Sequence, residues 1–130
     1  MIVVDASAVV ELLLNTPTGR AVAERLERSG STLHAPHLLD IEVAQVLRRL
    51  ARQGDIEPLR GHEALADLAA LPLRRYPHRF LLSRIWELRE NLTAYDAAYC
   101  ALAEALDATL LTCDHRIARA PQHGARVDVV

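Results

Sequence analysis

The stretch that decides the fold is MIVVDASAVVELLL, residues 1–14. Residues 2–4 are consecutive β-branched residues with no polar alternation, which is typical of a short central strand buried on both faces of a parallel sheet. A helix is predicted directly after this strand, with Asp5 or Ser7 as its cap and an end near Asn15 and Pro17. A buried strand followed at once by a helix is the first half of a βαβ unit.

The rest of the chain continues this alternation. Further strands are predicted at residues 32–35, 73–76, 109–112 and 126–129, the last of them at an edge of the sheet. Further helices are predicted at residues 17–28, 36–53, 56–71, about 80–92 and 94–106, with a helical turn at 115–120. Strands separated by helices predict the α/β class, here a three-layer α/β/α sandwich around a mostly parallel sheet of four to five strands.

Length and composition restrict the class of protein. A chain of 130 residues is expected to form a single domain over residues 1–130. No apolar stretch approaches the ~20 residues of a membrane helix, and no leader-like segment precedes the first strand, so a cytoplasmic protein is expected. Cys100 and Cys113 lack CxxC spacing and are expected to be reduced thiols.

The basic residues exclude several functions. All 15 are arginine, and the chain contains no lysine. A phosphate-loop lysine, a Schiff base and a lysine general base are therefore excluded, and so is a signalling receiver domain, which requires a lysine near its last strand. An aspartyl phosphatase would place a second acid two residues after Asp5, where this chain has Ser7.

Four acidic residues stand at the ends of separate apolar segments. Asp5 and Asp114 follow predicted strands, whereas Glu42 and Asp96 are expected in the first turns of helices that begin at the same edge of the sheet. The four side chains are therefore predicted to converge in one crevice. Helix capping is an equally ordinary explanation for three of them. Glu42 is different because it lies within or beside an apolar helical stripe, where an uncompensated carboxylate is costly.

A divalent cation would compensate such a cluster. Neighbouring carboxylates raise one another's pKa unless positive charge neutralises them. Hard cations such as Mg²⁺ or Mn²⁺ prefer carboxylate oxygens, whereas zinc favours His and Cys. The six histidines show no HxxxH spacing, and only His115 is expected near the crevice. The sequence therefore predicts a magnesium or manganese site.

Three stretches together resemble a known family. They are MIVVDASAVVELLL at 1–14, HLLDIEVAQVLRRL at 37–50 and LTAYDAAYCALAEALDATLLTCDHRIARA at 92–120. In the order and spacing of their acids they resemble the PIN-domain ribonucleases, specifically the VapC-type toxins of toxin–antitoxin pairs. The similarity spans nearly the whole chain.

The resemblance implies a site, a reaction and partners. The implied catalytic and metal-binding residues are Asp5, Glu42, Asp96 and Asp114, with the hydroxyls of Ser7 and Thr112 close by. The implied reaction is RNA cleavage by metal-activated water, leaving a 5′-phosphate and a 3′-hydroxyl. The implied partners are a second copy of the chain and a cognate antitoxin whose C-terminal segment blocks the groove.

Two features leave alternatives open. Arginines near the crevice are candidates for holding RNA, or else solvated charges on helix faces: Arg116 first, then Arg48, Arg49, Arg52, Arg74, Arg75 and Arg79. Trp86 is either a core residue or an anchor for a partner. The alternative function is a PIN-like module that binds RNA or protein without cutting, its acids serving only as caps.

Overall fold

The computed structural model describes residues 1–130. Its strands are β1 Ile2–Val4, β2 Leu33–Pro36, β3 Leu73–Tyr76, β4 Thr109–Thr112 and β5 Arg126–Val129. Its helices are α1 Ala6–Leu13, α2 Pro17–Ser29, α3 Leu38–Arg52, α4 Pro58–Ala70, α5 Leu82–Glu87, α6 Ala94–Ala105 and α7 His115–Arg119, with a 3-10 turn at Arg79–Leu81 before α5. No helix is both long enough and apolar enough to cross a membrane.

The five strands form one parallel sheet in the order β3-β2-β1-β4-β5. The chain moves outward from β1 through β2 to β3, then crosses back to β4 on the other side of β1. Because crossovers between parallel strands are right-handed, α1–α4 lie on one face and α5–α7 on the other. The predicted three-layer fold is confirmed. The strand order reverses between β1 and β4, which is where ligands of open parallel sheets bind, beyond the carboxyl ends of the strands.

The core lies on both faces of β1 and β4. Val3 and Val4 are almost completely buried, as are Leu110 and Leu111. Helix α6 packs across β1, β2 and β4, and its residues 97–103 are all buried. Four of those seven residues are alanine, and small side chains allow this helix to lie close to the sheet. Asp96, at the start of α6, is thereby held near the carboxyl edge of β1.

A glycine permits the close contact between α1 and α2. A Cβ atom at Gly19 would lie 1.9 Å from the backbone oxygen of Glu11. Thr16 caps α2 by accepting a hydrogen bond of 2.9 Å from the Gly19 N–H. The two helices meet backbone to backbone at this point, which fixes the direction of α1 and of the cap residue that precedes it.

The helix predicted over about 80–92 is shorter and less buried than expected. Leu81 and Leu88 are buried, but Leu82 is 54% exposed and Trp86 is 67% exposed. The core explanation for Trp86 is therefore wrong. The guanidinium of Arg89 lies 4.6 Å from the centroid of the Trp86 ring, so one face of this exposed ring is covered by a cation.

Candidate active site

A cavity of about 320 Å³ opens at the carboxyl edge of the sheet, beside the switch point between β1 and β4. The four acids predicted from the sequence all line it. The complete lining is Asp5, Ala6, Ser7, Val10, Glu11, Glu42, Val46, Arg49, Asp96, Tyr99, Cys113 and Asp114. Residues from opposite ends of the chain are thus gathered around one opening, as the topology predicts.

Asp5 is the most deeply buried of the four acids, at 5% exposure. It caps α1, since its Oδ1 accepts the Ala8 N–H at 3.0 Å and the Ser7 hydroxyl at 2.6 Å. Its Oδ2 accepts a short hydrogen bond from the hydroxyl of Thr112, the last residue of β4. The cap explanation is correct but incomplete, because a cap does not require the bond to Thr112.

The two hydroxyls also tie down the end of β4. The Cys113 N–H donates to Ser7 Oγ at 2.9 Å, and the Asp114 N–H donates to Thr112 Oγ1 at 2.9 Å. Ser7 Oγ and Thr112 Oγ1 are themselves 3.3 Å apart. Ser7 lines the cavity, whereas Thr112 is completely buried behind Asp5.

Glu42 is held by a tyrosine. It is the fifth residue of α3, which begins at Leu38, two residues later than predicted, because Pro36 belongs to β2. The hydroxyl of Tyr99 on α6 donates to Glu42 Oε1 at 2.5 Å. This bond joins helices from opposite faces of the sheet across the floor of the cavity.

Asp96 and Asp114 occupy the more open side of the site. The Asp96 N–H donates to Thr93 Oγ1 at 3.2 Å, so Thr93 is the cap of α6 and the Asp96 carboxylate does not serve as one. Asp114 caps α7 and forms a two-pronged ion pair with Arg116, at 3.0–3.1 Å from Nε and 2.6 Å from Nη2. Arg116 lies beside the cavity but does not line it.

The pKa values of Asp5, Glu42 and Asp96 are shifted in the opposite direction from that of Asp114. Burial raises the pKa of Asp5, Glu42 and Asp96, the charges of neighbouring acids raise it further, and hydrogen bonds to the carboxylates only partly offset both effects. The hydrogen bond from Arg116 instead lowers the pKa of Asp114. Negative charge is therefore uncompensated around Asp5, Glu42 and Asp96.

The candidate metal ligands in the cavity lining are of the type that a hard cation binds. They are carboxylate oxygens, the ligands that Mg²⁺ and Mn²⁺ prefer. Zinc favours His and Cys ligands, and the lining offers one thiol, Cys113, and no imidazole. No three His, Cys, Asp or Glu side chains are gathered tightly enough to hold a metal ion between them. The acids surround a common space without closing on one point, which suits a cation that retains several waters.

An acid and a phenol in the lining, Glu11 and Tyr99, were not predicted as site residues. Glu11 lies four residues after Ser7, and Tyr99 lies three residues after Asp96. Both spacings place a side chain on the same helix face as a predicted site residue. Helical spacing from residues already chosen was therefore the signal that could have found them.

The fold and this cavity define a class: α/β/α proteins with a carboxylate-lined crevice at the switch point of a parallel sheet. The PIN domain family model matches residues 2–122. The chain therefore belongs to the PIN-domain family, as its resemblance implied.

Named relatives cover its whole length. The chain is 43% identical over 130 residues to Ribonuclease VapC12 of Mycobacterium tuberculosis H37Rv, an alignment covering 100% of this chain and 99% of that protein. It is 46% identical over 132 residues to Ribonuclease VapC9 of the same strain, covering 100% and 98%. The solved structure of VapBC2 from Rickettsia felis, bound to a promoter DNA fragment, matches with a TM-score of 0.72 at 16% identity, covering 99% of this chain and 98% of that one. This last likeness concerns the fold alone.

Proposed function

We propose that this protein is a metal-dependent endoribonuclease, the toxin of a toxin–antitoxin pair, that hydrolyses RNA phosphodiester bonds in the cytoplasm. The observation that carries the proposal is the convergence of Asp5, Glu42, Asp96 and Asp114 on one cavity. The full-length relatives named as ribonucleases support the same activity. One cluster of 27 buried residues supports a single domain over residues 1–130.

In this proposal the four acids hold Mg²⁺ or Mn²⁺. When bound, the cation supplies Lewis-acid chemistry, activating water and neutralising charge on the phosphate. Asp5 is oriented by two hydroxyls and a backbone N–H, and Glu42 by Tyr99, so both carboxylates are fixed before a cation arrives. Asp114 becomes fully available only when it exchanges its ion pair with Arg116 for the cation.

Substrate contacts are assigned to the two arginines at the cavity. Arg49 lines the opening, and Arg116, with 86% of its side chain exposed, lies beside Asp114. Arg75 is unsuited to this role because its guanidinium is bound to both carboxylate oxygens of Asp40, at 2.7 and 2.9 Å. Single-stranded RNA in a loop fits a recessed acidic site, because its backbone can bend into the cavity.

Exposed apolar side chains support protein partners. Ile41 and Tyr95 line one groove, and Leu82 and Tyr95 line the next. We call these three residues the apolar surface. The groove lined by Ile41 and Tyr95 shares Glu42 with the acidic cavity, so a chain docked there would lie at the entrance to the site. We assign the apolar surface to a homodimer and the cavity groove to the cognate antitoxin. A concentration-independent monomer in light scattering would remove the homodimer.

The test is cleavage of total RNA by purified protein. We expect products in Mg²⁺ or Mn²⁺, none in EDTA, and none from the variants Asp5→Asn and Asp96→Asn. Because a contaminating nuclease would survive these substitutions, the two variants also serve as preparation controls. Undiminished cleavage in EDTA would contradict the metal mechanism.

The second candidate is a PIN-like module that binds without cutting. The caps that Asp5 and Asp114 provide to α1 and α7 favour it, because both acids would persist for structural reasons alone. RNA binding without metal-dependent products would support this reading. Glu42 and Asp96 cap nothing, and their uncompensated charge is the reason for preferring the nuclease.

A further inference from the structure

Tyr99 is the largest fully buried side chain of the molecule, at 1% exposure. It lies three residues after Asp96, so α6 presents to the cavity both an acid and the residue that contacts another acid. Its hydroxyl donates a hydrogen bond to Glu42 Oε1.

The bond from Tyr99 makes the two oxygens of Glu42 unequal. Oε1 accepts the phenol hydroxyl at 2.5 Å, and this is the only hydrogen bond that the carboxylate accepts. The other oxygen, Oε2, accepts no hydrogen bond and is the one left free for other partners in the cavity. No helix cap or backbone N–H orients Glu42, so the direction of its free oxygen depends on Tyr99.

Divalent cations differ in what they require of such a ligand. Mg²⁺ demands near-octahedral geometry and keeps several waters, which suits carboxylates that each give one oxygen. Ca²⁺ accepts six to eight oxygens in flexible geometry and readily takes both oxygens of one carboxylate. Hydrogen bonds to the ligands of a metal usually change metal affinity by about 10- to 100-fold.

We propose that Tyr99 is a positioning residue that limits Glu42 to one free oxygen and thereby favours Mg²⁺ or Mn²⁺ over Ca²⁺. The proposal rests on the proposed function, because it assumes that the cavity holds a cation. It adds a property of this site that none of the four acids provides alone: a preference among hard cations set by a neutral phenol.

Calorimetric titration of the purified full chain with Mn²⁺ and, separately, with Ca²⁺ tests the proposal. Tyr99→Phe removes only the hydroxyl, and we expect it to weaken Mn²⁺ binding by about tenfold while Ca²⁺ binding changes much less. The preference for Mn²⁺ over Ca²⁺ then falls by about tenfold. Tyr76→Phe is the matched control, because it also removes a hydrogen-bonded hydroxyl, 2.8 Å from His34 Nδ1, but Tyr76 does not line the cavity. Its preference should equal that of the wild type.

The outcomes separate the two proposals. If Tyr99→Phe weakens both cations by the same factor, or neither, Tyr99 only packs the core and the inference is overturned. If the wild type binds neither cation, the proposed function fails and the inference fails with it. Glu42→Asp provides a second variant, because its shorter side chain withdraws the carboxylate from the phenol. It should lower the same preference even if Tyr99→Phe folds poorly, and an unchanged preference would contradict the inference.

Discussion

Removing the charge of Asp5 and removing its side chain should have opposite effects on stability. In Asp5→Asn, the amide oxygen can still accept from Ser7 and from the Ala8 N–H, as Asp5 Oδ1 does now. The amide nitrogen then donates to Thr112 Oγ1, whose hydroxyl turns toward Ser7 Oγ, 3.3 Å away. Every polar group keeps a partner, and Asn is as good a cap as Asp. We therefore expect the variant to match or exceed the wild-type stability in EDTA.

Asp5→Ala cannot rebuild this network. Losing the cap costs about 1 kcal/mol. The loss of two hydroxyl hydrogen bonds to a buried carboxylate adds about 2 kcal/mol. This second figure allows for the hydrogen bond that the two hydroxyls can then make to each other and for the removal of a buried charge. The total of about 3 kcal/mol corresponds to a fall in Tm of roughly 10 °C for a chain of this size.

Urea denaturation in EDTA measures the difference in stability between Asp5→Asn and Asp5→Ala. An RNA cleavage assay measures the loss of activity that we expect of both. Neither variant should cut RNA. With Mn²⁺ at about 100 times its Kd, the wild type should gain about 2.7 kcal/mol of stability and both variants much less. Equal destabilisation by Asn and Ala in EDTA would refute the hydroxyl rearrangement, and a gain from Mn²⁺ in Asp5→Asn as large as in wild type would refute the role of Asp5 as a ligand.

The remaining predictions concern pH, one glycine and two arginines. Because burial raises the pKa of Asp5 in the folded state, its contribution to stability is complete below the unfolded pKa of about 4 and is lost as pH rises through the folded value. In EDTA, the urea midpoint of the wild type should therefore fall relative to that of Asp5→Asn as pH rises above about 4. Gly19→Ala should lower stability by about 3 kcal/mol in thermal unfolding because its Cβ would overlap the α1 backbone, whereas Gly61→Ala, with only an ordinary contact at 3.6 Å, should not. Arg49→Ala should weaken RNA binding and reduce its log–log salt slope by about 1. Arg75→Ala should instead lower stability by about 1 kcal/mol, since it breaks a partly exposed ion pair, and leave that slope unchanged.

Much of the fold follows from local pattern. The strands at residues 73–76, 109–112 and 126–129 lie where the alternation of strands and helices predicts them. The strand predicted at 32–35 is displaced by one residue, because Pro36 ends β2 and does not open α3. The helix accordingly begins two residues later than predicted, with Glu42 as its fifth residue, and the side chain lines the cavity.

The sequence does not specify which side of each helix packs against its neighbours. The exposure of Trp86 depends on α5 ending at Glu87 and on which of its sides meets α6, and an apolar stripe does not specify that. The contact between Tyr99 and Glu42 joins residues 57 positions apart on two helices. The topology brings their backbones to the same edge, but only the packed side chains show that the phenol takes one carboxylate oxygen.

The bond between Thr112 and Asp5 also has a consequence for synthesis on the ribosome. It joins residues 107 positions apart, and β1 pairs with β4 in the middle of the sheet. At about 5 to 20 residues per second, roughly 5 to 20 s separate the emergence of one partner from that of the other. A nascent chain that stalls before β4 has only one neighbour for its first strand and no assembled cavity. Each copy therefore acquires its site in one late step, after most of the polypeptide has been made.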